Sequence, residues 1–325
     1  MPNDGDWEFP DDARPKQGEL GFDLEAALSA VVGLHAKVPE DAFTASVLGT
    51  ERAGNGVLIE SSGLVVTVGY LITEAETVWL TALNGTTVQA HVVAYDHKTG
   101  LGLVQALGRL GTPPLELGAS RDSEVGAQVI VAGHGGLRRA LQARVVARHE
   151  FAGYWEYVLD EAVFTAPPHP NWGGAALIGR DGRLQGIGSL FVQGVRLGAG
   201  SLEGNMIVPI DILPPILDEL LKFGKVDAPA QPWLGMYTAD MDDKLVVVGL
   251  ADDGPAEAAG IQSGDQVMRV AGEPVLDLVT MFRRIWGLGP AGVDIPLTVL
   301  RDDEEREIEI RSADRATYLK APRLH

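Results

Sequence analysis

Between Thr44 and Ile207 the chain is cut into short β-branched runs by glycine and proline, and this punctuation restricts its fold more than any other feature. The runs are Ser46–Leu48, Val57–Glu60, Leu64–Val68, Val78–Leu83, Val88–Tyr95, Leu101–Ala106 and Gln128–Ala132. They continue with Gln142–His149, Tyr157–Asp160, Ala175–Ile178, Gly186–Val192 and Asn205–Ile207. Segments this short, rich in Val and Ile and separated by turn residues, read as strands of a sandwich or of a pair of barrels. The forty glycines and nineteen prolines of the 325-residue chain supply the turns that such an architecture consumes.

Around this β-rich block the texture changes. Residues 1–22 are acidic and broken by Pro and Gly, which predicts a disordered arm. Asp23 is placed to cap a helix from Leu24 to about Ala36, with Leu24, Leu28, Val31, Val32 and His35 on one face. After the β block, Asp211, Pro214, Pro215 and Gly224 bracket a helix over Ile212–Phe223. Residues 225–232 read as a linker. Beyond it the pattern alternates: strand Leu245–Gly249, short helix Ala256–Ala259, strand Gln266–Val270, and helix Leu278–Trp286 after Asp277. An acidic turn, Asp302–Glu305, joins the last two strands, Ile295–Arg301 and Arg306–Arg311.

The formal net charge of −19 and pI near 4.7 argue against nucleic acid or an anionic membrane as partner. There is no cysteine, so disulfides and thiolate metal sites are excluded. No cofactor signature is present. A metal site from His91, Asp96 and His97 has no recognised ligand spacing. The N-terminus lacks the basic and apolar regions of a signal peptide, and no apolar run is long enough to span a bilayer, so the expected location is cytoplasmic.

Five motifs, in order, carry a resemblance. They are GNGVLIESSGLVVTVGYLI from Gly54, YDHKTGLGLVQA from Tyr95, NWGGAALIGRDGRLQGI from Asn171, GNMIVPIDILPPILDELLKFGKV from Gly204, and WLGM from Trp233 with DDGPAEAAGIQSGDQVMRVAGEPV from Asp252. Together they resemble the HtrA (high-temperature requirement A) family of trypsin-fold serine proteases with a PDZ domain. The resemblance implies a mainly β chain: a chymotrypsin-like double β-barrel followed by an α+β PDZ domain. The domains would be a trypsin-like protease domain over 23–224 with an N-terminal helix, the linker, a PDZ domain over 233–311 and a tail over 312–325.

Carried over position by position, the family's catalytic histidine falls on Tyr70, its aspartate on Gly100 and its serine on Trp172. A phenol with a reference pKa near 10 is a poor general base at neutral pH, glycine has no carboxylate, and indole is no nucleophile. One of the two usual oxyanion donors falls on Pro170, which has no N–H. Losing such a donor typically costs about 100- to 1,000-fold in rate, and losing the nucleophile about a million-fold. The resemblance therefore implies a pseudoprotease rather than an enzyme. Ser189, Ser201, His97, His134 and His169 are the groups from which relocated chemistry could be built, with His169 expected to be a solvated loop histidine. Trp172 is expected to fill the vacated cleft.

The PDZ motifs are more complete. Leu234, Gly235 and Met236 match the loop whose N–H groups hold a peptide's terminal carboxylate. Met281 and Ile285 lie on the helix expected to form the second groove wall. The expected partners are peptides or protein C-termini ending in an apolar residue, and an active HtrA-like protease. The resemblance further implies a homo-oligomer, a trimer, through the apolar face of Leu24–His35. The leading functional expectation is a peptide-binding scaffold or regulator. The alternatives are an endopeptidase with relocated catalytic residues and a holdase-like chaperone.

Overall fold

The computed structural model describes residues 7–153, 156–197, 200–241 and 244–320. They fall into two compact units. The first holds the chain up to His149 and Glu161–Val226; the second holds Glu150–Asp160 and Asp227–Lys320. Among the described residues no helix is long and apolar enough to cross a membrane.

The first unit is built from two closed six-stranded barrels. The strands of the first are β1 (Val31–Lys37), β2 (Glu51–Leu58), β3 (Leu64–Val68), β4 (Thr77–Thr81), β5 (Thr87–Tyr95) and β6 (Leu101–Ala106), in the order β1-β2-β3-β6-β5-β4. Those of the second are β7 (Gln128–Ala132), β8 (Ala140–Gly153), β9 (Tyr157–Ala166), β10 (Ala176–Ile178), β11 (Leu184–Leu197) and β12 (Gly200–Pro209), in the order β10-β11-β12-β9-β8-β7. Closure leaves no free sheet edge in either barrel. Val129, Val131, Val145, Val163, Leu177 and Ile207 meet inside the second barrel. Each such side chain contributes about 1.5–3 kcal/mol of hydrophobic stabilisation. β3 is buried along its whole length, which its run Leu-Val-Val-Thr-Val requires.

The helix expected over Leu24–Ala36 is shorter. Helix α1 (Leu24–Ser29) is capped by Asp23, whose side chain accepts from the Ala26 N–H, and then the chain becomes β1. Ser29 Oγ donates back to the Ala26 carbonyl, and Val31 and Val32 follow. β-Branched residues after such a back-bond favour extended backbone, and β1 pairs with both β2 and β4. Leu24, Leu28, Val31 and Val32 are buried within the unit, so the face expected to carry oligomer contacts is not available. His35 points outward and pairs with Glu51 at 2.8 Å.

Three further expectations shift. Ser46–Leu48 lies in one helical turn, α2 (Ala45–Leu48), rather than a strand. The buried Glu74 carboxylate accepts from the Phe43 and Thr44 N–H groups and the Thr44 hydroxyl just before it. Helix α3 (Pro214–Phe223) starts after Leu213, while Asp211 instead accepts from the Ser120 N–H; Gly224 ends the helix with φ +71°. Residues 7–22 are packed chain, not a loose arm. Phe9 donates its N–H to the Arg138 carbonyl, Trp7 lies under the Arg139 guanidinium at 3.9 Å, and Pro15 is buried.

In the second unit one sheet runs β13 (Met236–Met241), β14 (Lys244–Leu250), β15 (Gln266–Val270), β17 (Asp294–Arg301), β18 (Glu304–Arg311), with β16 (Glu273–Pro274) pairing on β15. The β17–β18 turn is tighter than expected. Asp302 and Asp303 alone make it, both with positive φ, the two-residue geometry suited to a twisted hairpin. Helix α4 (Pro255–Ala258) opens on its proline. Helix α5 (Leu278–Gly287) is capped by Asp277, which accepts from the Thr280 N–H at 2.7 Å. α5 turns Met281, Phe282 and Ile285 into the core, against Leu234, Met236 and Val247.

Candidate functional site

The first candidate site lies where the sequence places Tyr70, Gly100 and Trp172, and the fold brings the three segments together. Tyr70 sits on a single 3-10 turn after β3, with its carbonyl held at 2.8 Å by the Arg52 guanidinium. Arg52 is buried, also donates to the Thr73 carbonyl and the Thr44 hydroxyl, and its pKa is pushed down to about 10 by burial against the pull of Glu74. On one side, the Gly69 N–H donates to the Gly100 carbonyl at 2.7 Å. On the other, the Tyr70 phenol donates to the Ser189 carbonyl at 2.9 Å and lies 2.9 Å from where a Cβ on Gly173 would stand. The phenol therefore acts as a structural donor. Gly100 closes the Asp96–Gly100 loop through its own N–H, with no side chain to orient a base.

Trp172 is half-buried rather than wholly sequestered, its ring 5.7 Å from that of Phe191. The turn it starts is closed by the Ala175 N–H donating to its carbonyl at 3.0 Å. Gly174 has φ +75°, and a Cβ there would stand 1.8 Å from the Asn55 carbonyl oxygen. No other residue fits that approach.

Asn55 is the residue of this site that sequence reasoning missed. It is buried; its Nδ2 donates to the Asn171 and Gly173 carbonyls at 3.0 Å, and its Oδ1 accepts from the His134 N–H at 2.7 Å. Its own N–H also reaches the Gly173 carbonyl, at 2.8 Å. The only local signal was its place between two glycines, in Gly54-Asn55-Gly56.

His169 is not the solvated loop residue expected from its two flanking prolines. It is fully buried, edge-on to the rings of Trp7 and Phe9. Its N–H donates to Asn205 Oδ1 at 2.6 Å. Nδ1 accepts from the Asn171 N–H, so Nε2 carries the proton and donates to the Arg139 carbonyl at 2.9 Å. Burial pushes its pKa down to about 4, further aided by Arg139 and opposed by these hydrogen bonds. It is a neutral, fully engaged strut of the turn. Among the other groups considered for relocated chemistry, Ser189 is buried, the His97 ring lies tilted against that of Tyr95 with centroids 4.3 Å apart, and the His134 ring faces Gly33. The side chain of Ser201 lies outside the described residues.

The second candidate site is in the other unit. The N–H groups of Leu234, Gly235 and Met236 converge on one carboxylate, that of Glu156, at 3.3, 3.0 and 3.2 Å. Gly235 has φ +69°, and its Cβ would crowd the Trp233 ring and Ala251 at about 3 Å. The loop is pinned by Trp233, which pairs through its backbone with Ala313, and by the Leu234 and Gly235 carbonyls, which accept from Ala256 and Ala251. Met281 and Ile285, expected along the groove, are fully buried in the core.

Residues 54–187 match the trypsin-like peptidase domain, and residues 232–311 match the PDZ domain. The chain carries a trypsin-like peptidase domain followed by a PDZ domain. It is 25% identical over 275 residues to a probable periplasmic serine endoprotease, DegP-like, of Halomonas elongata, covering 80% of this chain and 56% of that one. It is 24% identical over 274 residues to the serine endoprotease DegS of Escherichia coli, covering 79% and 75%. The chain thus spans about half the length of the DegP-like relative. A solved HtrA-type protease, AlgW with a tripeptide, shares the fold with a TM-score of 0.52 at 18% identity, covering 95% of this chain and 99% of that one. Two expectations are overturned. Relatives that align over about 80% of the chain are named serine endoproteases, which overturns the expectation of a non-enzyme. A relative named as periplasmic likewise removes the ground for a cytoplasmic location.

Proposed function

We propose that this chain is an HtrA-type protein that recognises extended peptides by their free C-terminus, at the cradle formed by Leu234, Gly235 and Met236. What carries the reading is that three backbone N–H groups converge on a carboxylate there. β13 lies at the end of its sheet, beside α5, so a peptide can add to it as a further strand. The apolar side chains of Leu234 and Met236 favour an apolar terminal residue. The role that follows is that of a peptide-binding scaffold or regulator, in the periplasmic setting named for a relative. Proteolysis is named for the relatives; peptide recognition is what this chain's own groups support.

The test is binding of a fluorescein-labelled decapeptide with a free, apolar C-terminus to the full chain, beside the same peptide amidated. The expected Kd is on the order of micromolar, about −8 kcal/mol, with at least tenfold loss on amidation. Equal binding of the two peptides would sink the reading.

A further inference from the structure

The carboxylate held in the cradle belongs to the chain itself. Glu156 stands in the turn between β8 and β9, with φ +63°, a left-handed conformation uncommon for a residue with a side chain of this size. Its backbone is committed to the turn, the Glu156 N–H donating to the Gly153 carbonyl at 3.0 Å. One carboxylate oxygen accepts from Gly235 and Met236 and the other from Leu234, so both oxygens are engaged.

The contact is not confined to one side chain. Ala152 and Val158, flanking the turn, pack on the apolar cluster that includes Leu234, Met236, Met281 and Ile285. Arg283, on the helix expected to wall the groove, pairs with Glu150 and Asp160 at 2.9 Å each, one on either stem of the hairpin. These ion pairs are exposed, and each is worth little alone. Together with the carboxylate and the apolar contacts they align the turn with the cradle and with α5. That is the pairing of a carboxyl tip with an apolar flank that a peptide C-terminus would bring.

We propose that Glu156 is a built-in ligand of the cradle, so that a peptide C-terminus enters only by displacing the Glu150–Asp160 hairpin tip. This rests on the cradle being a peptide-carboxylate site. The competition is intramolecular and acts at high effective concentration, so even a weak self-contact lowers the affinity for free peptide by the fraction of time the cradle is open. An external peptide that brings more apolar contacts than Ala152 and Val158 overcomes it.

The experiment compares the full chain with the Glu156→Gly and Arg283→Ala variants, using the labelled free-carboxylate and amidated decapeptides. Glu156→Gly removes the carboxylate and suits the positive φ. Arg283→Ala loosens the hairpin without touching the cradle amides. The expected result is a Kd at least tenfold tighter for Glu156→Gly and several-fold tighter for Arg283→Ala, for the free-carboxylate peptide only. Amide exchange at Leu234, Gly235 and Met236 should accelerate in peptide-free Glu156→Gly. Unchanged affinity in both variants, with the free carboxylate still required, overturns the built-in ligand and leaves the peptide reading standing. No preference for the free carboxylate in any form overturns the peptide reading and the gate with it.

Discussion

The phenol of Tyr70 and the backbone carbonyl of Ser189 are joined by a 2.9 Å hydrogen bond across 119 residues of sequence. Position 70, where the HtrA resemblance puts a catalytic base, thus holds a donor that ties the turn after β3 to β11. Tyr70→Phe removes this bond alone, and the expected loss of stability is about 0.5–1.5 kcal/mol in a urea titration. On any peptide that the wild type cleaves, Tyr70→Phe should leave the rate within a few-fold. A loss of a hundredfold or more would give the phenol a chemical role.

Asn55 holds more. Asn55→Ala leaves the Asn171 carbonyl and the His134 N–H without their buried side-chain partner. With about 1–3 kcal/mol for each of the two stranded groups, the expected destabilisation is about 2–6 kcal/mol. Urea unfolding of the variant that matches the wild type within 0.5 kcal/mol would contradict the described network.

His169 makes the first unit acid-sensitive. Its folded pKa of about 4 lies below the 6.5 of an unperturbed histidine, so between these values the unfolded chain binds the proton and the folded chain does not. The stability this group contributes is present above pH 6.5 and is lost as pH falls towards 4, by about 3 kcal/mol in all. Unfolding measured from pH 7 to 4 should show that slope in the wild type and lack it in His169→Gln.

Glu156 works in the opposite sense. Burial pushes its pKa up to about 7, against the N–H groups of Met236, Leu234 and Gly235 and the charge of Arg315. Arg283, facing the hairpin stems from α5, is neutralised by Glu150 and Asp160. A raised carboxyl pKa means the docked state is favoured at low pH, and its advantage shrinks as pH rises from 4.5 through 7. Affinity for a free-carboxylate peptide should therefore rise between pH 5.5 and 8 in the wild type and stay flat in Glu156→Gly. A flat wild-type profile would count against the prediction.

Gly235→Val is expected to abolish peptide binding. The substitution places a β-branched side chain at φ +69° and against Trp233, which turns the Gly235 and Met236 N–H groups out of the cradle. Circular dichroism should show the sheet of the second unit retained. Undiminished affinity would show that the carboxylate is held elsewhere.

Much was legible from local pattern alone. β-Branched runs between glycines mark strands whatever surrounds them, which is why β3, β6, β7 and β15 fall where the sequence puts them. Asp277 capping α5 and Gly224 ending α3 follow from the same local chemistry. The stretch Leu24–Lys37 did not resolve, because its apolar spacing satisfies both a helix face and an inward strand face. Only pairing with β2 and β4 decided for β1.

The sites divide the same way. By itself the sequence set Tyr70, Gly100, Pro170 and Trp172 against the catalytic positions of the family it resembles, and pointed to Leu234-Gly235-Met236 as a donor loop. It could not show Asn55 reaching across 116 residues to the Asn171 carbonyl, or Trp7 and Phe9 burying His169. Nor could it show which carboxylate fills the donor loop. Glu156 lies 79 residues before Gly235, and nothing in the intervening pattern links them. Local propensities act over a few residues. A contact between residues so far apart is decided by how the intervening chain packs, and only the tertiary structure holds that information.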